Sequence, residues 1–438
     1  MSAIRLVLSA GLVCAASLTW SQTATLNAAV ARQVDQVYPA LEVLYQDIHS
    51  HPEIAFQETR TAARLAAEMR TLGFTVTEGV GKTGVVAILE NGPGLTVMVR
   101  TELDALPMEE KTGLPYASHA KAMSGGSESF VAHSCGHDVH MAAWVGAART
   151  MVALKDRWRG RLMFVAQPAE ETLQGAQAMV TDGLFTRFPK PDVALAIHTS
   201  GEVAYGRVQY RAGPAMSAAD TFEILFKGRG GHGSAPHNTI DPIVIAAHFV
   251  TEVQTVISRV KDPREFGVVT VGAFQAGTVA NIVPDQALLR GTLRSYSPEV
   301  RKLLRDGVQR VANSAAAMAG APEPEVRIVE GVPSVVNDEG VIHSVDGALK
   351  SALGPDHVDL ALPQTPSEDF AVYATQGVPS LTMRFGVYPP DQIAAAALLG
   401  AKRLPSNHSP YFAPVPEPSI KTGIKITSAA LLALLGKS

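Results

Sequence analysis

The feature that most constrains the fold of this chain is a series of short, almost continuously apolar runs separated by segments of helical periodicity. The runs are rich in Val, Ile, Leu and Met, are bounded by turn or loop residues, and cover 84–89, 95–100, 161–167, 193–198 and 380–384. Helical patterns lie between them at 58–72, 141–154 and 175–182. Strands without polar alternation are buried on both faces, as in a mainly parallel sheet covered by helices. We therefore predict an α/β fold built on such a sheet.

A second domain is predicted because 438 residues exceed what one core usually accommodates. From about residue 213 the segments lengthen and read as strand, helix, two strands, helix and strand, at 220–227, 241–258, 266–273, 286–295, 298–319 and 325–329. This pattern indicates a compact α+β unit. Because the first sheet resumes at 380–384, the unit is predicted to be inserted into it. The expected parts are 22–212, 213–331 and 332–438.

The N-terminal residues have the order of regions of a secretory signal. Arg5 precedes an apolar stretch at 6–18, and small and polar residues follow at 19–22. We expect residues 1–21 to be a signal peptide, cleaved near Ser21, and the protein to be exported to the periplasm or secreted. A buried N-terminal helix is the alternative. No other segment is expected to span a membrane.

Charge and cysteine content narrow the functional classes. The net charge is −4, without long runs of one sign, so nucleic acid is not an expected partner. A small-molecule or peptide substrate suits this surface better. The two cysteines are Cys14 and Cys135, and removal of the signal would leave Cys135 alone. A free thiol in an oxidising compartment needs a reason.

Polar residues follow three of the predicted strands. Glu102 and Asp104 follow the run at 95–100, Glu170 and Glu171 follow the run at 161–167, and His198 ends the run at 193–198. Ligands of open parallel sheets bind beyond the carboxyl ends of the strands. These side chains are therefore candidates for one site.

The densest group of potential metal ligands lies at residues 133–140. Cys135 and His137 could meet one cation from the loop before a helix that starts near Asp138, and Gly136 supplies the freedom for that turn. Thiolate, imidazole and carboxylate are ligands of Zn²⁺ and related cations, which would explain the thiol. The alternative is a small buried cysteine among structural histidines, and His133 and His140 are expected to be structural.

Three further residues, Glu170, Glu171 and His408, are informative only in the context of the predicted site. Adjacent carboxylates at a strand end, Glu170 and Glu171, point in different directions, so one can bind a cation while the other handles a proton. His408 lies in a C-terminal loop, where a lone histidine is uninformative without other ligands.

Seven short motifs stand out along the chain: RTELDALP (100–107), SCGHD (134–138), QPAEE (167–171), GGHGSAPH (230–237), GTVANIVP (277–284), SEDF (367–370) and NHSP (407–410). In this order they resemble the M20 metallopeptidases, in particular the amidohydrolase branch of hippurate, N-acyl-amino-acid and auxin-conjugate hydrolases. The resemblance extends from about residue 41 to 435.

The resemblance implies an enzyme that hydrolyses linear amide C–N bonds at a site with two divalent metal ions, Zn²⁺ or else Mn²⁺ or Co²⁺. Glu170 matches the catalytic glutamate, which takes a proton from the metal-bound water and delivers it to the leaving nitrogen. Asp104 and Asp138 match residues that support the metal site from behind the ligands. The implied ligands are Cys135, which would bridge the cations, and His137, Glu171, His198 and His408.

The inserted domain resembles the lid of that family, which implies a homodimer formed through the lid. His232 matches a lid histidine that stabilises the oxyanion at a facing active site. Asn281 and Arg294 match positions near the carboxylate or amide of the substrate. Two departures stand out: Glu102 replaces the usual aspartate, and the Gly- and Ser-rich segment 121–131 is longer than usual, either as a pocket wall or as a flexible loop.

The leading hypothesis is hydrolysis of N-acyl or N-aroyl amino acids with movement of a lid. A dipeptidase or carboxypeptidase of the wider family is the second hypothesis. The motif with Cys135 favours the acyl-amino-acid hypothesis, because the peptidase branches usually carry aspartate at that position. They also begin with a His-x-Asp motif, which this chain lacks. A catalytically silent protein that binds small ligands is the third, and the presence of Glu170 and all ligand types argues against it.

Overall fold

A computed structural model of the chain describes residues 7–437, with side chains from residue 24 onward. The helices of this part are α1 (Val7–Ser50), α2 (Thr59–Thr71), α3 (His137–Ala153), α4 (Gly175–Thr181), α5 (Pro242–Glu252), α6 (Pro298–Met318), α7 (Glu339–Leu353), α8 (Ala371–Thr375), α9 (Pro390–Ala396) and α10 (Pro416–Leu435). The side chains of the predicted signal peptide, residues 1–21, lie outside the described residues, and export stays a prediction.

The strands, in chain order, are β1 (Thr75–Val80), β2 (Gly84–Asn91), β3 (Thr96–Glu102), β4 (Lys121–Ser124), β5 (Ser127–Phe130), β6 (Gly160–Gln167), β7 (Val193–Ala204), β8 (Val208–Tyr210), β9 (Gly213–Met216), β10 (Ala218–Lys227), β11 (Gly231–His232), β12 (Gly267–Ala276), β13 (Ile282–Val283), β14 (Gln286–Ser295), β15 (Glu325–Glu330), β16 (Val335–Asn337), β17 (Val358–Leu360) and β18 (Ser380–Tyr388). The chain divides into two compact units. One contains residues 1–213, 337–362 and 373–438, and the other contains 214–336 and 363–372.

The first unit is built on an eight-stranded sheet of order β1-β2-β6-β3-β7-β18-β8-β17. The central strands β6, β3, β7 and β18 run parallel, and the flanking pairs β1–β2, β2–β6 and β18–β8 are antiparallel. Every residue of β3 is buried, as expected for a strand covered on both faces. The predicted α/β class with a mainly parallel sheet is confirmed.

Helix α3 lies in the core of this unit, packed against α1, α10 and the sheet. Trp144 on α3 is buried, and its indole N–H donates to the carbonyl of Val99 on β3 over 3.0 Å. The contact of α3 with α10 is close because Gly423 has no side chain: a Cβ added there would lie 2.7 Å from the Cβ of Ala143. Helix α3 is therefore held rigidly, and the metal-ligand candidates lie at its N-terminal end.

The second unit contains an antiparallel sheet of order β12-β14-β10-β15. Helices α5 and α6 pack on it around a separate apolar core that includes Phe222, Phe249, Leu289 and Leu304. The sequence bounds of the predicted insertion were 213–331, whereas this unit also includes 363–372. Its role as a lid or dimerisation domain stays a prediction.

Two segments differ from the sequence reading. The predicted helix at 241–258 is shorter, since α5 ends at Glu252 and a π-helical turn covers Val256–Val260. The combined helical stretch Pro242–Val260 has the length and hydropathy of a membrane span, a feature that is also common in core helices of soluble domains. The segment 121–131 contains the β4–β5 hairpin, which turns at Gly125 and Gly126 with φ of 58° and 86°.

The end of α1 is joined to the start of α3 by a buried histidine between two carboxylates. His49 Nδ1 lies 2.6 Å from Asp138 Oδ2, and its Nε2 lies 3.1 Å from Glu110 Oε1. Tyr116 contacts the same ring edge to face. Burial alone would lower the pKa of His49, but the two carboxylates outweigh it and raise the pKa to about 10. His49 is therefore an imidazolium that links three segments near the predicted site.

This pairing predicts a pH dependence of stability. The pKa of His49 is higher in the folded state, so its contribution is fully present below about pH 6.5 and is lost as the pH rises through about 10. We expect the thermal midpoint of the parent to exceed that of His49→Gln at pH 7, and the difference to shrink towards pH 10. Thermal unfolding of both proteins at pH 7, 8, 9 and 10 measures it. A difference that stays constant over this range would contradict the ion pairing.

The close approach at Gly423 predicts a cost for any added side chain. Gly423→Ala should lower the free energy of unfolding of the first unit by about 1–3 kcal/mol, because the new methyl group overpacks against Ala143. Gly347 on α7 is the matched control, since a Cβ there meets nothing within 4 Å. Gly347→Ala should raise the stability by about 0.5–1 kcal/mol through helix propensity. Thermal and urea unfolding of both variants test these opposite signs.

Candidate metal centre and active site

The parallel register of β3 and β6 brings the acidic residues of two strand ends together. Glu102 lies opposite Gln167, and the N–H of Leu103 donates to the carbonyl of Gln167 over 2.8 Å. Just beyond, Asp104 Oδ2 accepts the backbone N–H of Glu171 at 2.9 Å. The polar residues that follow these strands therefore form one cluster at a single edge of the sheet.

Two histidines of the cluster are oriented by backbone carbonyls. His137 Nδ1 donates to the carbonyl of Asp104 over 2.7 Å, and His198 Nδ1 donates to the carbonyl of Thr199 over 2.8 Å. Each neutral ring then presents the lone pair of Nε2 to the cluster. This is the arrangement by which metal-binding histidines are usually fixed. His198 lies within β7, which continues to Ala204, and not at the strand end that the sequence suggested.

The remaining predicted ligands surround these rings. Cys135 Sγ lies 3.6 Å from His198 Nε2, and His408 Nε2 lies 3.3 Å from Glu171 Oε2. His137 Nε2 lies 3.7 Å from a carboxylate oxygen of Glu170 and 3.9 Å from one of Glu171. The potential ligand atoms fall into overlapping groups, each within 4.8 Å, namely Cys135 with His137 and His198, Cys135 with Glu171 and His408, and His137 with Glu170 and Glu171.

The chemistry of this cluster fits divalent cations. Within the described residues, the buried His137 Nε2 has no hydrogen-bond partner, although it faces carboxylates and a thiol. Burial and the negative charges of Glu171 and Glu170 raise the pKa of the Cys135 thiol well above its usual value. Burial also raises the pKa of Asp104 to about 7. A cation at the centre would act in the opposite direction on each group and would satisfy His137.

The loop that carries His408 is docked onto the loop that carries Cys135. His408 has a positive φ of 67°, and its N–H donates to the carbonyl of Ser134 over 2.8 Å. The side-chain amide of Asn407 donates to the carbonyl of Cys135 over 2.9 Å. These two hydrogen bonds connect residues far apart in the sequence and account for the presence of His408 in the cluster.

His140 is structural, as expected, because both of its ring nitrogens are already used. Nδ1 donates to Glu102 Oε2 over 2.9 Å, and Nε2 accepts the N–H of Thr199 at 2.8 Å. Glu102 also pairs with the buried guanidinium of Arg100. Burial opposes the charge of Glu102, but Arg100 and His140 hold the pKa of this carboxyl well below its usual value. Glu102, which stands where the family usually has aspartate, thus forms a buried ion pair with Arg100 behind the cluster.

Asp138 and His133 lie next to the cluster on either side of its loop. Asp138 binds His49 and also accepts the N–H of Val139 at the start of α3, so it orients the helix end that carries His137. His133 is buried, and burial lowers its pKa to about 4. His133 is therefore neutral, and its structural role stays a prediction.

Three predicted site residues lie in the second unit. His232 on β11 is exposed, and its Nδ1 accepts from the N–H and the hydroxyl of Ser234 at 3.1 and 2.8 Å, so a neutral ring carries its proton on Nε2. The carbonyl of Asn281 accepts the N–H of Gly233 at 2.8 Å. Arg294 Nη1 donates to Ser367 Oγ over 2.5 Å. His232 is thus oriented as a hydrogen-bond donor.

Three residues of the first unit that position this cluster were missed by the sequence reading. His49 and Glu58 lie upstream of the quoted motifs, and Asn407 lies inside one without an assigned role. Each forms a hydrogen bond with a residue far away in the sequence, and no local sequence pattern predicts such a contact. Only the repeated occurrence of acidic and imidazole groups before α2, His49 to Glu58, could have drawn attention to that region.

The comparisons with known proteins agree with the motifs. The family model described as Peptidase family M20/M25/M40 matches residues 98–433. A hippurate hydrolase of Campylobacter jejuni is 34% identical over 336 residues, which is 76% of this chain and 84% of that protein. The thermostable carboxypeptidase 1 of Saccharolobus solfataricus is 38% identical over 309 residues, 69% of this chain and 76% of that protein.

A solved structure extends the likeness to the fold. The Bacillus subtilis YXEP protein, described as a dinuclear metal binding peptidase from the M20 family, is 27% identical with a TM-score of 0.75 over 91% of this chain and 99% of that one. Since the family model and relatives above 30% identity both cover most of the sequence, this chain belongs to the M20/M25/M40 peptidase family and is a metal-dependent hydrolase of amide bonds.

Proposed function

We propose that this enzyme hydrolyses N-acyl or N-aroyl amino acids. The observation that carries the proposal is the pairing of a thiol-containing ligand cluster with one additional carboxylate, Glu170, 3.7 Å from His137 Nε2. The relative named as a hippurate hydrolase supports an aroyl amino acid as substrate, because hippurate is an aromatic acid joined to glycine through an amide.

In this proposal Cys135, His137, Glu171, His198 and His408 would hold two divalent cations. Bound there, the cations supply Lewis acidity, which polarises the scissile carbonyl and makes water acidic enough to attack near neutral pH. The soft thiolate and the imidazoles suit Zn²⁺, and Mn²⁺ or Co²⁺ remain candidates because supply as well as affinity selects the metal. Asp104 orients His137 and Glu171 from behind.

Glu170 is proposed as the general base and acid. Its side chain is largely buried in the turn after β6, and one carboxylate oxygen lies 3.7 Å from Nε2 of the proposed ligand His137. Glu170 takes a proton from the attacking water and delivers it to the leaving nitrogen, so that the amine departs neutral.

Residues of the second unit are proposed to recognise the substrate. The Nε2–H of His232 is a suitable donor to the oxyanion that forms during attack. A guanidinium such as that of Arg294 binds carboxylates well, and Asn281 would donate to the amide or carboxylate. These groups would select molecules that carry a free carboxylate next to the amide.

A dipeptidase or carboxypeptidase activity is the second candidate. The relative named as a thermostable carboxypeptidase supports it. A peptide with a free C-terminus and an N-acyl amino acid share the amide and the carboxylate, so the same groups could recognise either. The two functions therefore differ in what the enzyme accepts on the acyl side of the bond.

We also propose that the enzyme is a homodimer formed through the second unit. Strand β12 lies at the edge of its sheet, and an edge strand can pair with another chain. Phe274 and Val268 on β12 are exposed, as is Val244 on α5. An open strand edge with exposed apolar side chains on the same strand suits a second copy of the same chain.

A substrate panel with a Glu170 variant tests the chemistry. We expect the mature enzyme, loaded separately with Zn²⁺, Mn²⁺ and Co²⁺, to hydrolyse N-acetyl and N-benzoyl amino acids faster than dipeptides. Glu170→Ala should lower kcat by at least about 10²- to 10⁴-fold, since the proton acceptor is lost, with bound metal near the parental amount. Metal content and single-substrate kinetics are the measurements.

The other outcomes of that panel are distinct. Turnover of dipeptides alone would replace the proposal by the peptidase function. Equal and negligible turnover by the parent and Glu170→Ala, with metals bound, would identify a silent binding protein. Cys135→Ser is the contrasting variant to Glu170→Ala, because loss of the thiolate ligand should lower the metal content as well as the rate.

Mixed dimers test the contribution of His232. If this side chain acts on the facing subunit, two inactive variants, His232→Ala and Glu170→Ala, should complement each other after subunit exchange. One of the two sites in a mixed dimer then combines an intact Glu170 with an intact His232, which gives up to about a quarter of parental activity in an equal mixture by random pairing. Activity that stays at the level of the separate variants would contradict an action between subunits.

A further inference from the structure

The turn that carries Glu170 and Glu171 has an unusual backbone. Ala169, directly before them, is fully buried and has a φ of 52°, in the left-handed region. A residue with a Cβ is strained there, and such a conformation persists only where the surroundings hold it. The direction of the two following carboxylates depends on this conformation, because they are the next residues of the same turn.

The group that holds Ala169 is Glu58, just before α2. Glu58 Oε1 accepts the N–H of Ala169 at 2.9 Å and the N–H of Phe56, also at 2.9 Å. Phe56 is itself strained, with a φ of 61°. The other oxygen, Oε2, accepts the hydroxyl of Thr83 at 2.5 Å. One carboxylate with no exposed surface therefore supports two left-handed residues from different parts of the chain.

Asp104 stabilises the same turn at a second point, because its carboxylate accepts the backbone N–H of Glu171. Ala169 and Glu171 are thus each hydrogen-bonded through their backbone N–H to a buried carboxylate, one on either side of Glu170. Hydrogen bonds to a charged acceptor are stronger than those between neutral groups, and water cannot replace a buried one. The position of Glu170 between them is therefore set by its neighbours.

We propose that Glu58 is a positioning residue for the reaction: it holds Ala169 in the left-handed conformation and thereby aims Glu170 and Glu171. This inference rests on the proposed roles of those two glutamates. Glu58 acts through a backbone N–H and is not itself a catalytic residue. Its expected influence is on kcat, because small displacements of a general base or a ligand lower the rate strongly.

Variants at two positions separate positioning from plain stability. Glu58→Ala should lower kcat by about 10- to 100-fold at saturating metal, with KM changed by less than about threefold. Glu58→Gln keeps an oxygen that can accept from Ala169, and should retain activity to within about fivefold of the parent. Glu68 on α2 supplies the matched control, since it is a buried carboxylate that binds Arg149 and Arg64.

A rescue experiment tests the backbone argument itself. Glycine adopts a positive φ without strain, so Ala169→Gly added to Glu58→Ala should restore kcat by about five- to tenfold. The same glycine in the parent should change kcat little. Thermal midpoints, bound metal, kcat and KM are measured for every variant. These readouts also identify a Glu58 variant that has simply unfolded.

The inference is overturned if Glu58→Ala loses no more activity than Glu68→Ala, or if Ala169→Gly fails to restore any of the loss. Its failure is distinguishable from failure of the proposed function. An inactive Glu170→Ala together with an undisturbed Glu58→Ala would remove only the positioning role. An active Glu170→Ala would remove the catalytic proposal on which that role depends.

Discussion

The parallel pairing of β3 with β6 and β7 is the constraint on which the metal centre depends. It places Glu102 opposite Gln167, so that Asp104, two residues later, reaches the backbone of the turn after β6. The same pairing brings β7, with His198, to the other side of β3. Helix α3 begins at His137, so its first turn carries this ligand. His137 and His198 are thus carried by a buried helix and a largely buried strand, which limits the movement of this part of the site.

The second determinant is buried negative charge. Glu58, Glu102, Asp104 and Asp138 have almost no exposed surface, and burial of a charge is costly unless a partner compensates it. Glu102 and Asp138 have cationic partners, Arg100 and His49 respectively. Glu58 accepts hydrogen bonds from Ala169, Phe56 and Thr83, and burial raises the pKa of both Glu58 and Asp104. A cation bound beside Asp104 would favour its charged form. Metal binding and the stability of this region are therefore coupled.

The fold class and most of the candidate site could be predicted without coordinates, for a specific reason. A strand that is buried on both faces is a nearly continuous apolar run, whichever strands it pairs with. The sequence therefore predicts β2, β3, β6 and β18 one by one. The site motifs are local, since Cys135 and His137 share one loop and Glu170 and Glu171 share one turn. Less accurate were the end of β7, which extends past His198, and the length of α5.

By itself, the sequence determined the α/β architecture, the kinds of metal ligand and the family, because apolar periodicity and ligand chemistry are properties of neighbouring residues. Only the tertiary structure decided which polar groups support the ligands. Glu58 binds Ala169, His49 binds Asp138 and Asn407 binds Cys135, each across a large part of the chain. Such contacts depend on how the strands and helices pack, since a hydrogen bond joins groups that are close in space whatever their separation in sequence. The same is true of the pairing of Glu102 with His140, which lie 38 positions apart in the sequence.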